Sequence, residues 1–220
     1  MRSGGFLLAL LAFELFAMPL ARAADGELCA QAIAHNEAAG VLPAGLLTAV
    51  AVSESGRYDR DRRRVAPWPW AVNNAGDGRY FPTKDEAIHH VERLRAAGER
   101  NIDVGCMQVN LMHHPDAFAS LEEAFEPSRN VAYGARFLDA LRQETRSWDR
   151  AVERYHTADP ERGRAYREKV YQRWARAPIA GEPDPGSAGR PRILMASLAA
   201  DTAAGNVRSQ ALRSGTSSGR

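Results

Sequence analysis

Leu46-Leu47-Thr48-Ala49-Val50-Ala51-Val52-Ser53-Glu54-Ser55-Gly56 is the stretch whose reading decides the fold. Leu46, Leu47 and Val50 recur at helical spacing and make one apolar face. Glu54 stands one turn beyond Val50 on that face, and Gly56 stops the helix. Pro43 is its expected start, since proline suits a first helical turn. A glutamate at a helix end is ordinarily a solvated side chain. On a buried face without a cation, its charged form is disfavoured and its pKa rises.

Outward from this helix, nearly every periodic segment carries the helical repeat. Residues 27–38 place Cys29 and Ile33 on one face, with Gly40 where a C-terminal cap belongs. Thr83 with Glu86, and Ser120 with Glu123, are capping boxes. Ala87, Ile88, Val91 and Leu94 form the face of the helix after the first box, which Gly98 closes. Val131, Ala135, Leu138 and Leu141 make a stripe over 130–144, and Trp148, Val152 and Tyr155 another. Asp159-Pro160 starts a last helix whose Tyr166, Val170 and Trp174 face inward. Residues 57–82 break this pattern. Asn73-Asn74-Ala75-Gly76-Asp77-Gly78 between aromatic flanks predicts a small hairpin. The expected fold class is therefore all-α dominated (α+β), one domain over 24–176 with a small β-hairpin insert.

The two ends read differently. Arg2, the apolar run Phe6–Phe13 and Ala21-Arg22-Ala23 have the pattern of a cleaved signal peptide over 1–23, while Glu14 argues against a membrane anchor. The expected location is thus the periplasm or the exterior, with no stable membrane span after cleavage. Residues 177–220, rich in Pro, Gly and Ser, read as a mostly disordered tail. Taking Arg2, Arg22 and Glu14 from 29 basic and 27 acidic residues leaves a net charge of +1. That balance excludes the footprint of a nucleic-acid binder. The run Arg60-Asp61-Arg62-Arg63-Arg64 reads as a solvated loop, or else a contact for an anionic polymer.

Cys29 and Cys106 are the two cysteines past the signal. In an oxidising compartment an even count favours a disulfide. Two separate buried thiols, or a nucleophilic cysteine, are the alternatives. His89-His90 and His113-His114 are adjacent pairs without metal-ligand spacing, so neither a metal site nor a cofactor is expected.

Three motifs follow in order: Ser53-Glu54-Ser55, Gly105-Cys106-Met107-Gln108-Val109-Asn110, and Arg154-Tyr155-His156. Together they resemble the soluble lytic transglycosylase family, with its lysozyme-like fold, over about residues 27–175. The insert with Trp68, Pro69, Trp70, Asn73, Tyr80 and Phe81 resembles a secreted or wall-remodelling branch of that family. The resemblance implies Glu54 as the sole catalytic acid/base. It implies that Met107, Gln108 and Tyr155 line a glycan cleft. Ser55, Asn110, His156, Trp70 and Asn73 are further candidates for substrate contact. His156 stands where the family has asparagine, and Cys106 where an apolar residue is usual. Trp68, Trp70 and Tyr80 could stack on sugar faces or fold against the insert's own prolines.

Most glycosidases use two carboxylates. Asp59 and Asp103 are the nearest candidates for a second, but Asp103 fits equally well as a turn residue before Gly105. The resemblance implies that one suffices. Glu54 protonates the bond between N-acetylmuramic acid and N-acetylglucosamine. It then takes the proton of the sugar's own C6 hydroxyl, which closes to a 1,6-anhydro end. Peptidoglycan strands are the implied partner, with a secretion or cell-envelope apparatus as a second. A muramidase on the same fold and a non-catalytic wall-binding or secretion-assembly module are the competing readings.

Overall fold

The computed structural model describes residues 18–60 and 62–176. The tail from 177, and all of the expected signal segment except residues 18–23, lie outside the described residues. In chain order the elements are α1 (Met18–Glu37), α2 (Leu46–Ser55), β1 (Gly56–Asp59), β2 (Arg64–Pro67), β3 (Ala71–Asn74), β4 (Asp77–Tyr80), α3 (Lys84–Ala96), β5 (Ile102–Val104), β6 (Val109–Asn110), α4 (Leu121–Ala124), α5 (Pro127–Thr145), α6 (Trp148–His156) and α7 (Pro160–Trp174). The mixed α+β character agrees with the sequence reading. The first helix differs from it, because α1 begins at Met18 rather than near 27.

Two hydrophobic clusters form. In the first, Leu46, Leu47 and Val50 of α2 pack with Ile33, Val131, Leu138, Val152 and Val170, so α2 is surrounded by α1, α5, α6 and α7. The second joins Trp68, Trp70, Val72, Ile102 and Val104 of the strand region to Ala87, Ile88 and Val91 of α3 and to Phe125. The N-cap half of each capping box forms as read. Thr83 Oγ1 accepts from the Glu86 amide at 3.2 Å, and Ser120 Oγ from the Glu123 amide at 3.2 Å. Asp159 caps α7 by accepting from the amides of Glu161 and Arg162.

Two expectations about the strands and α2 need correction. The helix α2 starts at Leu46, not Pro43, because Pro43 sits in a turn whose carbonyl accepts the Leu46 amide, and Gly45 takes a left-handed φ of 77°. The single hairpin is in fact six strands in two sheets: β1 with β2, and a second sheet in the order β4-β3-β5-β6. The expected hairpin is β3–β4. Its Ala75-Gly76 turn has φ of 49° and 102°, as a tight two-residue connection requires. The described arginines of the basic run, Arg60 and Arg62 to Arg64, stay exposed as read; they lie where the β1–β2 hairpin closes, with Arg62 and Arg64 both paired to Glu27 of α1.

Gly56 makes the passage from α2 straight into β1 possible. A Cβ there would fall 2.2 Å from the Val52 carbonyl oxygen. A disulfide joins Cys29 and Cys106, both fully buried. It ties α1 to the turn between β5 and β6, and it removes the thiol and nucleophile alternatives.

Candidate active site

The C-terminal end of α2, the β5–β6 turn and one face of α7 meet at Glu54. Its neighbour Ser55 is 1% exposed and makes the join: Ser55 Oγ donates to the Cys106 carbonyl at 2.6 Å, while the Trp68 amide donates to the Ser55 carbonyl at 3.0 Å. Ser55 therefore positions the acid from within rather than facing a ligand.

Glu54 is partly exposed, and its Oε1 accepts a short hydrogen bond from the Tyr166 hydroxyl. Enclosure pushes its carboxyl from an ordinary 4.5 up to about 7; the Tyr166 hydrogen bond and the Lys169 charge pull the other way, and Asp103 adds to the rise. The carboxyl thus holds and releases a proton with similar ease near neutrality. Tyr166, 5% exposed, is itself held far up by burial and by Glu54, so it remains a donor. Its ring stacks on His156, with centroids 4.5 Å apart and planes 9° from parallel. Burial first, then Arg162 and Lys169, lower the His156 pKa, which favours a neutral imidazole over this ring.

The sheet contributes a second acid. Asp103 lies in β5 between Asn73 of β3 and Asn110 of β6, all three in one register row. Asn73 Nδ2 donates to Asp103 Oδ2 at 2.8 Å, and Asn110 Nδ2 to Asp103 Oδ1 at 2.7 Å. Asp103 is therefore a strand residue with a fixed carboxylate, not the turn residue that its place before Gly105 suggests. Its charge is felt at Glu54, Tyr155 and His156. Asp59 is instead tied to Arg62 within the β1–β2 hairpin.

The Gly105–Gln108 turn carries the expected glycan-lining residues. Gly105 needs its φ of 81°, and any Cβ there would sit 2.4 Å from Asn130 Nδ2. Gln108, a non-glycine residue at φ 46°, donates through Nε2 to the carbonyls of Gly105 at 3.0 Å and Ala71 at 3.2 Å. Strained backbone of this kind gathers at functional sites. Met107 is fully buried against Gly134, so its side chain is core. Its backbone instead serves the site: the amide donates to Asn130 Oδ1 at 2.8 Å, and the carbonyl accepts from the Tyr155 hydroxyl at 3.0 Å. Asn130, fully buried, also donates to the carbonyls of Val104 and Ala124, and so fixes the turn.

Of the residues read as substrate contacts, the structure gathers Gln108, Tyr155, His156, Asn73 and Asn110 around the acids. Trp70 is 6% exposed and Trp68 7%, so the Trp-Pro-Trp segment folds inward and offers no open ring face. Of the three insert aromatics read as possible stacking rings, Tyr80 is the one that stays exposed, at 46%; Tyr58 of β1 is exposed as well. Two hollows of about 240 Å³ each lie along α3 and residues 111–121, and Glu54 lines neither. Tyr166 was legible in sequence only as an inward-facing position of a helix, and Asn130 only as the first residue of a periodic segment. Compared with known protein families, curated proteins and solved structures, the chain matches none.

Proposed function

We propose that this protein is a peptidoglycan lytic transglycosylase on a lysozyme-like fold, acting in the cell envelope, with Glu54 as acid and then base. The observation that carries the reading is a partly open Glu54 whose carboxyl sits near pKa 7 under the hydroxyl of a buried tyrosine. An acid/base that works in both directions performs best when its pKa lies near the working pH.

In the proposed reaction, protonated Glu54 gives its proton to the glycosidic oxygen. The C1–O bond breaks, and its electron pair leaves with that oxygen. The sugar passes through an oxocarbenium-like centre assisted by its own acetamido group. Glu54, now a carboxylate, is steadied by the Tyr166 hydroxyl and by the charge of Lys169. It removes the C6 hydroxyl proton, O6 bonds to C1, and the acid is restored without a water molecule entering the product. The free Oε1 of Gln108 is suited to accept from a sugar hydroxyl or acetamido group, because its Nε2 is already committed to the backbone.

A second reading, a muramidase in which water attacks, is favoured by one observation: Asp103 is a second carboxylate held by two amides beside Glu54. Product mass separates the two. Digestion of purified sacculi should release anhydro-ended muropeptides, one water lighter than the hydrolytic product, and Glu54→Gln should release none. Reducing-end muramic acid as the sole product would sink the transglycosylase reading in favour of the hydrolase.

A further inference from the structure

On β1 and α7, the elements that flank the C-terminal end of α2, stand three cations that make no ion pair among the described residues. The guanidinium of Arg57 in β1 lies 4.2 Å over the ring of Trp68, and Arg57 is exposed. Lys169 and Arg173 share a face of α7 with Tyr166, at spacings of three and seven residues. Lys169 Nζ donates to the Ser53 carbonyl at 2.9 Å. Arg173 Nε is enclosed and has no hydrogen-bond acceptor. Among the described residues none of these three cations makes an ion pair, although Arg62, Arg64, Arg79, Arg150 and Arg167 all do. Tyr80 stands with them: its hydroxyl donates to the Gly56 carbonyl at 2.8 Å, and it feels the charges of both Arg57 and Arg173. The acids near this corner are Glu54, neutral for much of its cycle, and Asp103, already bound by Asn73 and Asn110. Asp77 at the β3–β4 turn is taken by Arg79.

A planar, weakly hydrated guanidinium backed by an aromatic face is preorganised for a carboxylate. An enclosed arginine nitrogen without an acceptor is a donor that lacks its counterpart. We propose that Arg57 and Arg173, together with Tyr80, form a carboxylate-binding subsite along the α2–α7 face that carries Glu54, and that it takes a free carboxylate on the peptide branch of the glycan. This rests on the glycan reading above for the identity of the ligand, but not for its charge. The subsite gives the protein a preference for peptide-bearing anionic strands over naked or amidated ones. It also registers the scissile bond, since a branch anchored at Arg57 and Arg173 fixes which sugar lies at Glu54.

Two measurements on the full chain test it. In the first, initial rates are compared on sacculi strands with intact peptide carboxylates and on the same strands after amidation. The wild-type KM should rise about tenfold on amidation, the loss of one charge-assisted contact. Arg57→Gln should raise KM on intact strands and shrink the effect of amidation to less than about twofold. Equal wild-type rates on both substrates, or full discrimination by Arg57→Gln, overturn the proposal. In the second, Glu54→Gln protein is titrated with N-acetylalanine and with its amide while the arginine Nε–H resonances are followed by NMR. The acid should shift Arg57 and Arg173 saturably and the amide should not; no response to either overturns the subsite. If the acid shifts both arginines yet sacculi release nothing, the anion site stands and the lytic reading falls. If both substrates are cut alike and the arginines are silent, the reverse holds.

Discussion

Replacing Glu54 by glutamine should stabilise the protein at alkaline pH, by an amount set by the enclosure of the side chain. The carboxyl titrates near 7 in the folded protein against an ordinary 4.5. Because the folded pKa is the higher one, the native state gains relative stability from holding this proton. That contribution is complete below about pH 4.5 and is lost as pH rises through 7. At about 1.36 kcal/mol per pH unit, the ionised carboxylate costs the native state roughly 3 kcal/mol well above pH 7. Glutamine does not titrate, and its Oε1 can still accept the Tyr166 hydroxyl. Glu54→Gln and wild type should therefore have nearly equal unfolding free energies at about pH 4, and the variant should lead by roughly 3 kcal/mol at about pH 8.5. Urea unfolding of the oxidised proteins across this range, followed by tryptophan fluorescence, measures the difference. A difference that stays flat with pH, or a wild type that is the more stable at pH 8.5, would refute the claim that Glu54 is a sheltered acid.

Further outcomes bear on the same site. Tyr166→Phe removes the hydrogen bond that favours the carboxylate, so the Glu54 pKa should climb further, by about one to two units, and the pH profile of wall lysis should move up with it. Asp103→Asn removes a charge that raises the Glu54 pKa, so the same profile should move down in pH; an unmoved profile would mean that Asp103 does not act on the acid. Loss of the Cys29–Cys106 bond, 77 residues apart in sequence, should cost about 4 kcal/mol in the chain-entropy account, read as the shift in urea midpoint when both are changed to serine.

The long periodic elements were legible because their signals are redundant. Val131, Ala135, Leu138 and Leu141 repeat over about three turns of α5, and all four are buried. The caps at Thr83, Ser120 and Asp159 are local hydrogen-bonding facts that tertiary packing had no cause to override. Strands of two to four residues have no such redundancy: β5 and β6 exist because Asp103 and Val104 pair across to Asn110 and Val109, a partnership invisible in either segment alone. The acid Glu54 could be found from the face it shares with Leu46 and Val50. Its donor Tyr166, 112 residues away, could not, since an inward tyrosine in a helical stripe reads as core until the helix is placed. Trp68 and Trp70 posed an even choice in sequence, and the burial of the second hydrophobic cluster decided it.

Cys106 is anchored at both ends of one residue: its sulfur to α1, its carbonyl to Ser55 beside the acid. A covalent tie and a hydrogen bond to the acid's neighbour thus meet on one residue. With its thiols reduced, the chain would lose the covalent brace from α1 and keep the hydrogen bonds of Ser55 and Asn130 to that turn, so the bridge reinforces a joint that is already fastened.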